Sequence, residues 1–141
     1  MQSRDFYFEL CDLLNSINNK YDEYAKRSGI VSNNLFWLFY ALNDDKPHTQ
    51  LDLSEHCSLP KTTVNTIIKE LEKQGIVSMV KDNDKRKKLV SFTKEGKKYA
   101  NNLLKDLFSK EDMIFNANKE ELIALIEKLN KFNELLNILK N

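Results

Sequence analysis

The chain has 141 residues, 41% of them hydrophobic and 30% charged, with three Gly, two Pro and a formal net charge of +1. That length suits one domain with a core that needs no disulfides, and the composition excludes a disordered or fibrous protein and a uniformly basic polycation. The charge is uneven: Leu59 to Lys98 carries eleven Lys/Arg against five Asp/Glu, a balance of +6, and the remainder carries eleven against sixteen, or −5.

Met1-Gln2-Ser3-Arg4-Asp5-Phe6 is followed by charges rather than an apolar core, which predicts no signal peptide. The longest apolar run, Leu35 to Leu42, falls well short of the about 20 residues a bilayer requires, so no membrane partner and a cytoplasmic location are expected. Cys11 and Cys57 lack CxxC spacing, and His48 and His56 have no metal-ligand spacing with each other or with the cysteines. Neither disulfide, metal nor cofactor is expected.

Apolar residues at three- and four-residue spacing, from Phe6 and Leu10 to Tyr21 and Tyr24, predict a first helix over Asp5 to Arg27, stopped by Ser28-Gly29. A second helix follows a Ser32 cap and ends at Asn43 to Pro47; apolar on most sides, it should lie deep in the core. Thr49 caps a short helix, and Ser58-Leu59-Pro60 turns into another over Lys61 to Gln74, ended by Gly75. Val64, Ile67, Ile68 and Leu71 share one face of that helix, with Lys61, Thr62, Asn65, Thr66 and Lys69 on the other.

Two β-like runs, Val77 to Val80 and Leu89 to Phe92, then flank the charged loop Asp82 to Lys88. A long helix over Lys94 to Phe115 follows, and the last helix, Lys119 to Lys140, repeats Leu122, Leu125, Leu129, Phe132, Leu136 and Leu139 as a heptad seam. The expected fold is mainly α with a two-stranded β wing: a winged helix-turn-helix carrying N- and C-terminal dimerisation helices.

Charge runs are commonly solvated turns. Here the basic loop follows a helix-turn-helix at the distance a wing requires, and the basic excess is concentrated in these elements, which points to double-stranded DNA. Thr and Asn on the outer face suit base edges in the major groove, Lys61 and Lys69 suit phosphates, and Arg86 on a tip with Lys85, Lys87 and Lys88 suits the narrow minor groove. Asp84 is expected to position Arg86 by a salt bridge.

From Leu51 to Leu103 the sequence resembles the DNA-binding core of the MarR (multiple antibiotic resistance regulator) family, and the flanking helices agree with it. The specific part is Asp84-x-Arg86 in the wing, then Leu89, Phe92 where the family usually has Leu, Thr93 and Gly96. The resemblance implies a recognition helix bearing Thr62, Thr63, Asn65, Thr66 and Lys69, a wing arginine at Arg86, and a homodimer with interlocked terminal helices. It implies a single domain over 1–141, with dimerisation helices at about 1–32 and 116–141, a DNA-binding lobe at about 33–98 and a connecting helix at 94–115.

By position, Cys11 resembles the peroxide-reactive cysteine of the family's organic-hydroperoxide-sensing branch. Asp12 beside it opposes thiolate formation, and the residues themselves read as a buried, inert Cys11 and a small core Cys57. Phe36, Trp37, Phe39 and Tyr40 form either a plain aromatic core or, as the family implies, part of a pocket for a small aromatic or lipophilic effector. No nucleophile with its base, paired carboxylate site or phosphate-binding glycine loop is present, so no enzymatic activity is expected. The expected function is a sequence-specific regulator, a repressor on a pseudopalindromic operator released by a small molecule or oxidant. The alternative is a winged-helix protein-interaction scaffold that binds no operator.

Overall fold

The computed structural model describes residues 1–30, 32–83 and 86–140. Its elements are helices α1 (Ser3–Arg27) and α2 (Asn33–Leu42), strand β1 (His48–Thr49), helices α3 (Gln50–Cys57) and α4 (Lys61–Lys73), strands β2 (Val77–Lys81) and β3 (Lys88–Phe92), and helices α5 (Lys94–Ala117) and α6 (Lys119–Leu135). The last helix was expected to reach Lys140; instead Leu136–Lys140 tightens into a 3₁₀ turn, as helix ends with unsatisfied carbonyls often do. Contacts gather the chain into two units, Met1–Leu104 and Lys105–Asn141.

In the first unit, α2 supplies the centre of the core. Phe36, Leu38 and Phe39 are fully buried, joined by Leu53 of α3, Val64 and Ile68 of α4, Val90 of β3, and Ala100 and Leu104 of α5. Phe39 lies tilted against Phe92 and meets Tyr99 edge-on, with centroids 5.8 and 6.0 Å away. The α1 helix joins this core only through its C-terminal part: Ala25 is buried and the Tyr24 hydroxyl donates to the Leu103 carbonyl at 2.9 Å.

The sheet has three strands rather than two, in antiparallel order β1-β3-β2. Val77 pairs with Phe92 and Lys81 with Lys88, while His48 and Thr49 lie opposite Val90 and Leu89. Two residues are too few to show alternation, and the Thr49 cap signal hid the strand. Thr49 does both tasks: its side chain accepts from the Asp52 N–H while Asp52 accepts from the Thr49 N–H, a capping box on α3. The strand thereby ties the start of α3 to the wing.

The α4 helix ends where expected, at Gly75 with φ of 72°. The Ile76 N–H donates to the Leu71 carbonyl and the Gly75 N–H to that of Glu72, closing a Schellman motif. Ion pairing fixes the far side of the lobe. Lys97 on α5 pairs with Asp45 at 2.7 Å and donates to the Asn43 side chain and carbonyl, joining the first turn of α5 to the end of α2.

Nearby, the Asp44 carboxylate receives buried His48 Nε2 at 2.9 Å and the Lys46 N–H at 3.0 Å. Burial raises the carboxyl pKa, but the His48 and Lys46 hydrogen bonds outweigh it and hold Asp44 below its ordinary 3.8. A depressed carboxyl pKa stabilises the fold above the unfolded value, and that contribution disappears as pH falls through the folded value. The melting temperature of Asp44→Asn should therefore approach that of the parent in the acid limb, below about pH 4, and lag behind it near neutrality. Parallel curves across that range would contradict the role given to this pair.

In the second unit none of α6 is buried. Leu122, Leu129, Phe132 and Leu136 of the heptad seam are half-buried, and Leu125 and Leu139 are exposed, together with Ile123, Ile126 and Leu135 off the seam. Among the described residues no helix is long and apolar enough to cross a membrane.

Candidate nucleic-acid interface

Helices α3 and α4 and the turn between them form the helix-turn-helix. Ser58 takes the left-handed conformation (φ of 51°), the Leu59 N–H returns to the Ser54 carbonyl, and the Ser54 hydroxyl donates to the Leu59 carbonyl at 2.6 Å. Pro60 then starts α4, accepting from the Val64 N–H. Val64, Ile68 and Leu71 turn inward, which sets the opposite face outward. On that face Lys61, Thr62, Thr66 and Lys69 are exposed, and Thr63 and Asn65 are half-buried. The Thr66 hydroxyl donates to the Thr62 carbonyl at 3.0 Å, leaving its lone pairs to accept from a base edge.

The wing carries the other cations. Lys81, Arg86, Lys87 and Lys88 are exposed, and the Asp82 N–H donates to the Lys87 carbonyl at 2.9 Å, closing the base of the loop. Asp84 and Lys85, expected to position Arg86 and to contact DNA, lie outside the described residues. Arg86, Lys87 and Lys88, with Met79 of β2 and Thr49 to Asp52 at the start of α3, line a cleft of about 480 Å³. The contribution of Thr49 and Gln50 was not legible in the sequence, because it depends on the β1–β3 pairing.

Thr93 and Gly96 hold the wing to the lobe. The Thr93 hydroxyl donates to the Gly75 carbonyl at 2.5 Å and accepts from the Gly96 N–H at 2.9 Å, in the manner of an N-cap on α5. Gly96 is buried so close to the Ile76 backbone that a Cβ there would lie 1.8 Å from the carbonyl oxygen.

A winged helix-turn-helix DNA-binding family model matches residues 39–78. The chain is 31% identical over 117 residues to the HTH-type transcriptional regulator SarZ of Staphylococcus epidermidis, covering 82% of this chain and 78% of that protein. It is 29% identical to a MarR family regulator of Neisseria meningitidis of solved structure, with a TM-score of 0.75 over the whole of both chains. The chain belongs to the MarR family. This MarR protein is also 27% identical to the HTH-type transcriptional repressor YetL of Bacillus subtilis, over 99% of this chain and 85% of that one. It is a DNA-binding transcriptional regulator, with the winged helix-turn-helix described above as its DNA-binding module.

The remaining candidate residues of this MarR protein are placed differently from one another. Cys11, read from sequence as buried, is exposed, because α1 meets the core only near its C-terminus. Phe36 is fully buried and packs against Tyr21, Tyr24, Trp37 and Tyr40 at centroid distances of 5.2 to 6.5 Å. Tyr40 is half-buried within this cluster. Trp37 lines a cavity of about 330 Å³ with Asn18 and Asp22 of α1, Asn33 of α2, and His56, Cys57 and Ser58 at the end of α3. Cys57 is half-buried rather than a core residue, and burial raises its thiol pKa, keeping it protonated near neutrality. No group of His, Cys, Asp or Glu suited to a metal occurs among the described residues.

Proposed function

We propose that the protein binds a pseudopalindromic operator as a homodimer, represses transcription there, and is released by a small-molecule or oxidant signal. The observation that carries this reading is the exposed basic and small-polar face of α4 together with the exposed cations of the wing. Lys61 and Lys69 flank Thr62, Thr63, Asn65 and Thr66, and Arg86, Lys87 and Lys88 stand on the adjacent hairpin. Helix α4 would read base edges in the major groove while the wing follows the backbone, with Arg86 in the minor groove. Two lobes related by a two-fold would meet half-sites roughly 34 Å apart.

Exposed apolar residues on α1 (Phe6, Tyr7, Phe8, Leu13, Leu14 and Ile17) and along α6 support the dimer. A soluble protein rarely leaves so much apolar surface to water without a partner. In this reading residues of about 1–32 and 116–141 dimerise, 33–98 form the lobe, and 94–115 connect the two, with Asp84 and Lys85 completing the wing. Repression is the outcome named for YetL. Trp37 offers an effector a wall of the α1–α2–α3 cavity, whereas Phe36 and Tyr40 act behind it as packing. Cys11, exposed in the single chain, is the candidate thiol for an oxidant signal. An effector acts by favouring a lobe spacing that no longer fits successive grooves.

Arg86→Ala should weaken binding to a duplex carrying the protein's own upstream DNA roughly tenfold or more, the scale of a lost charge-assisted contact, in a fluorescence anisotropy titration. Unchanged affinity would remove the wing from the interface.

A further inference from the structure

We propose that the cavity walled by Asp22, Trp37 and Cys57 is a binding site for a small organic cation, an amine rather than a carboxylate. The inference rests on the reading of this cavity as the effector site and names its ligand's chemistry. At about 330 Å³ it suits a molecule of one ring and a short chain. Among the described residues that line it there is no Lys or Arg, His56 is the one basic side chain, and Asp22 is the one carboxylate. Two helix ends face it with opposite poles: the first turn of α2, through Asn33, and the last turn of α3, through His56 and Cys57. Each pole amounts to about half an elementary charge, so the pair roughly cancels and the full negative charge of Asp22 decides the sign.

Trp37 reinforces that choice. An indole is the strongest aromatic partner for a cation, and its neighbours Tyr21 and Tyr40, at centroid distances of 5.5 and 5.8 Å, hold the ring in place. The side-chain amides of Asn18 and Asn33 and the Ser58 hydroxyl offer acceptors to an ammonium N–H. Cys57, protonated through burial, adds no competing anion. A ligand there would contact α1 and the last turn of α3, the first helix of the helix-turn-helix, and so touch the helix that leads into α4.

Trp37 is the only tryptophan in the chain, so its emission reports on the cavity in the unmodified protein. Tyramine and 4-hydroxyphenylacetate share a ring and a similar chain length but carry opposite charges. Tyramine should change Trp37 emission saturably and bind at least about tenfold more tightly than 4-hydroxyphenylacetate, and Asp22→Asn should weaken tyramine about tenfold without altering ligand-free DNA affinity. Equal or tighter binding of the carboxylate, an unmoved Trp37 signal with tyramine, or an indifferent Asp22→Asn variant would overturn the proposal. A parent protein that binds tyramine at Trp37 but no operator would keep the site and remove the regulator reading instead.

Discussion

Gly96→Ala is expected to disrupt the DNA-binding lobe. An alanine Cβ would sit 1.8 Å from the Ile76 carbonyl oxygen and 2.6 Å from its carbon, and both belong to backbone rather than to a side chain that could swing away. Relief requires α5 to move off the α4–β2 connection, which breaks the Thr93 bonds to the Gly75 carbonyl and the Gly96 N–H and the Thr93 N–H bond to Ile76. Overlap in a packed interior together with a lost cap costs about 4 kcal/mol or more, a large part of a total stability of about 5–15 kcal/mol. Gly75→Ala is the internal control: its Cβ would meet nothing within 4 Å, so only the positive φ opposes it, at about 1–2 kcal/mol. Urea unfolding of the two variants should therefore separate them clearly. A Gly96→Ala protein as stable as Gly75→Ala would show that the α5 contact is not tight in solution.

The second large effect concerns association. Leu13 on α1 and Leu125 on the α6 seam are 56% and 48% exposed in the single chain, so a charge at either costs the isolated subunit little. If these faces are buried between subunits, each Glu must be desolvated there without a partner, at several kcal/mol. Leu13→Glu combined with Leu125→Glu should sediment as a folded monomer at concentrations where the parent is a dimer. Operator affinity should then fall by roughly a hundredfold or more, because the two half-sites no longer act as one linked event. A persistent dimer would displace the interface from these helices. A monomer that binds as well as the parent would remove the need for a dimer.

Much of this architecture was legible because helices announce themselves by period and by caps. The Thr49 N-cap, the Gly75 stop and the inward face of Val64, Ile67, Ile68 and Leu71 were readable from residue type and spacing, with Ile67 half-buried and the other three buried, whereas the reciprocal Asp52 bond of the capping box was not read. Thr93 and Gly96 were recognisable as a family pattern, but their reason was not: it lies in contacts with Gly75 and Ile76, some 20 residues earlier in the chain. The β1 strand was missed because two residues carry no periodicity and their pairing with Leu89 and Val90 is long-range.

Cys11 shows a different limit. Apolar spacing identified the stripe on α1 but not whether the single chain covers it, and Cys11 is exposed with its neighbours Phe8 and Leu14. The aromatic run of α2 likewise reads as one block in sequence. In the fold it divides, with Phe36 and Phe39 in the core and Trp37 at a cavity whose polar wall comes from α1 and α3.

Sequence-specific DNA binding through α4 and the wing is tested by the affinity of the purified protein for a duplex of its own upstream intergenic DNA against a scrambled duplex, at two salt concentrations. Binding to the native duplex should be roughly a thousandfold tighter or more and should weaken steeply as salt rises, through the counterions released from the phosphates that the basic residues neutralise. A folded dimer that binds both duplexes equally, or neither, would contradict it.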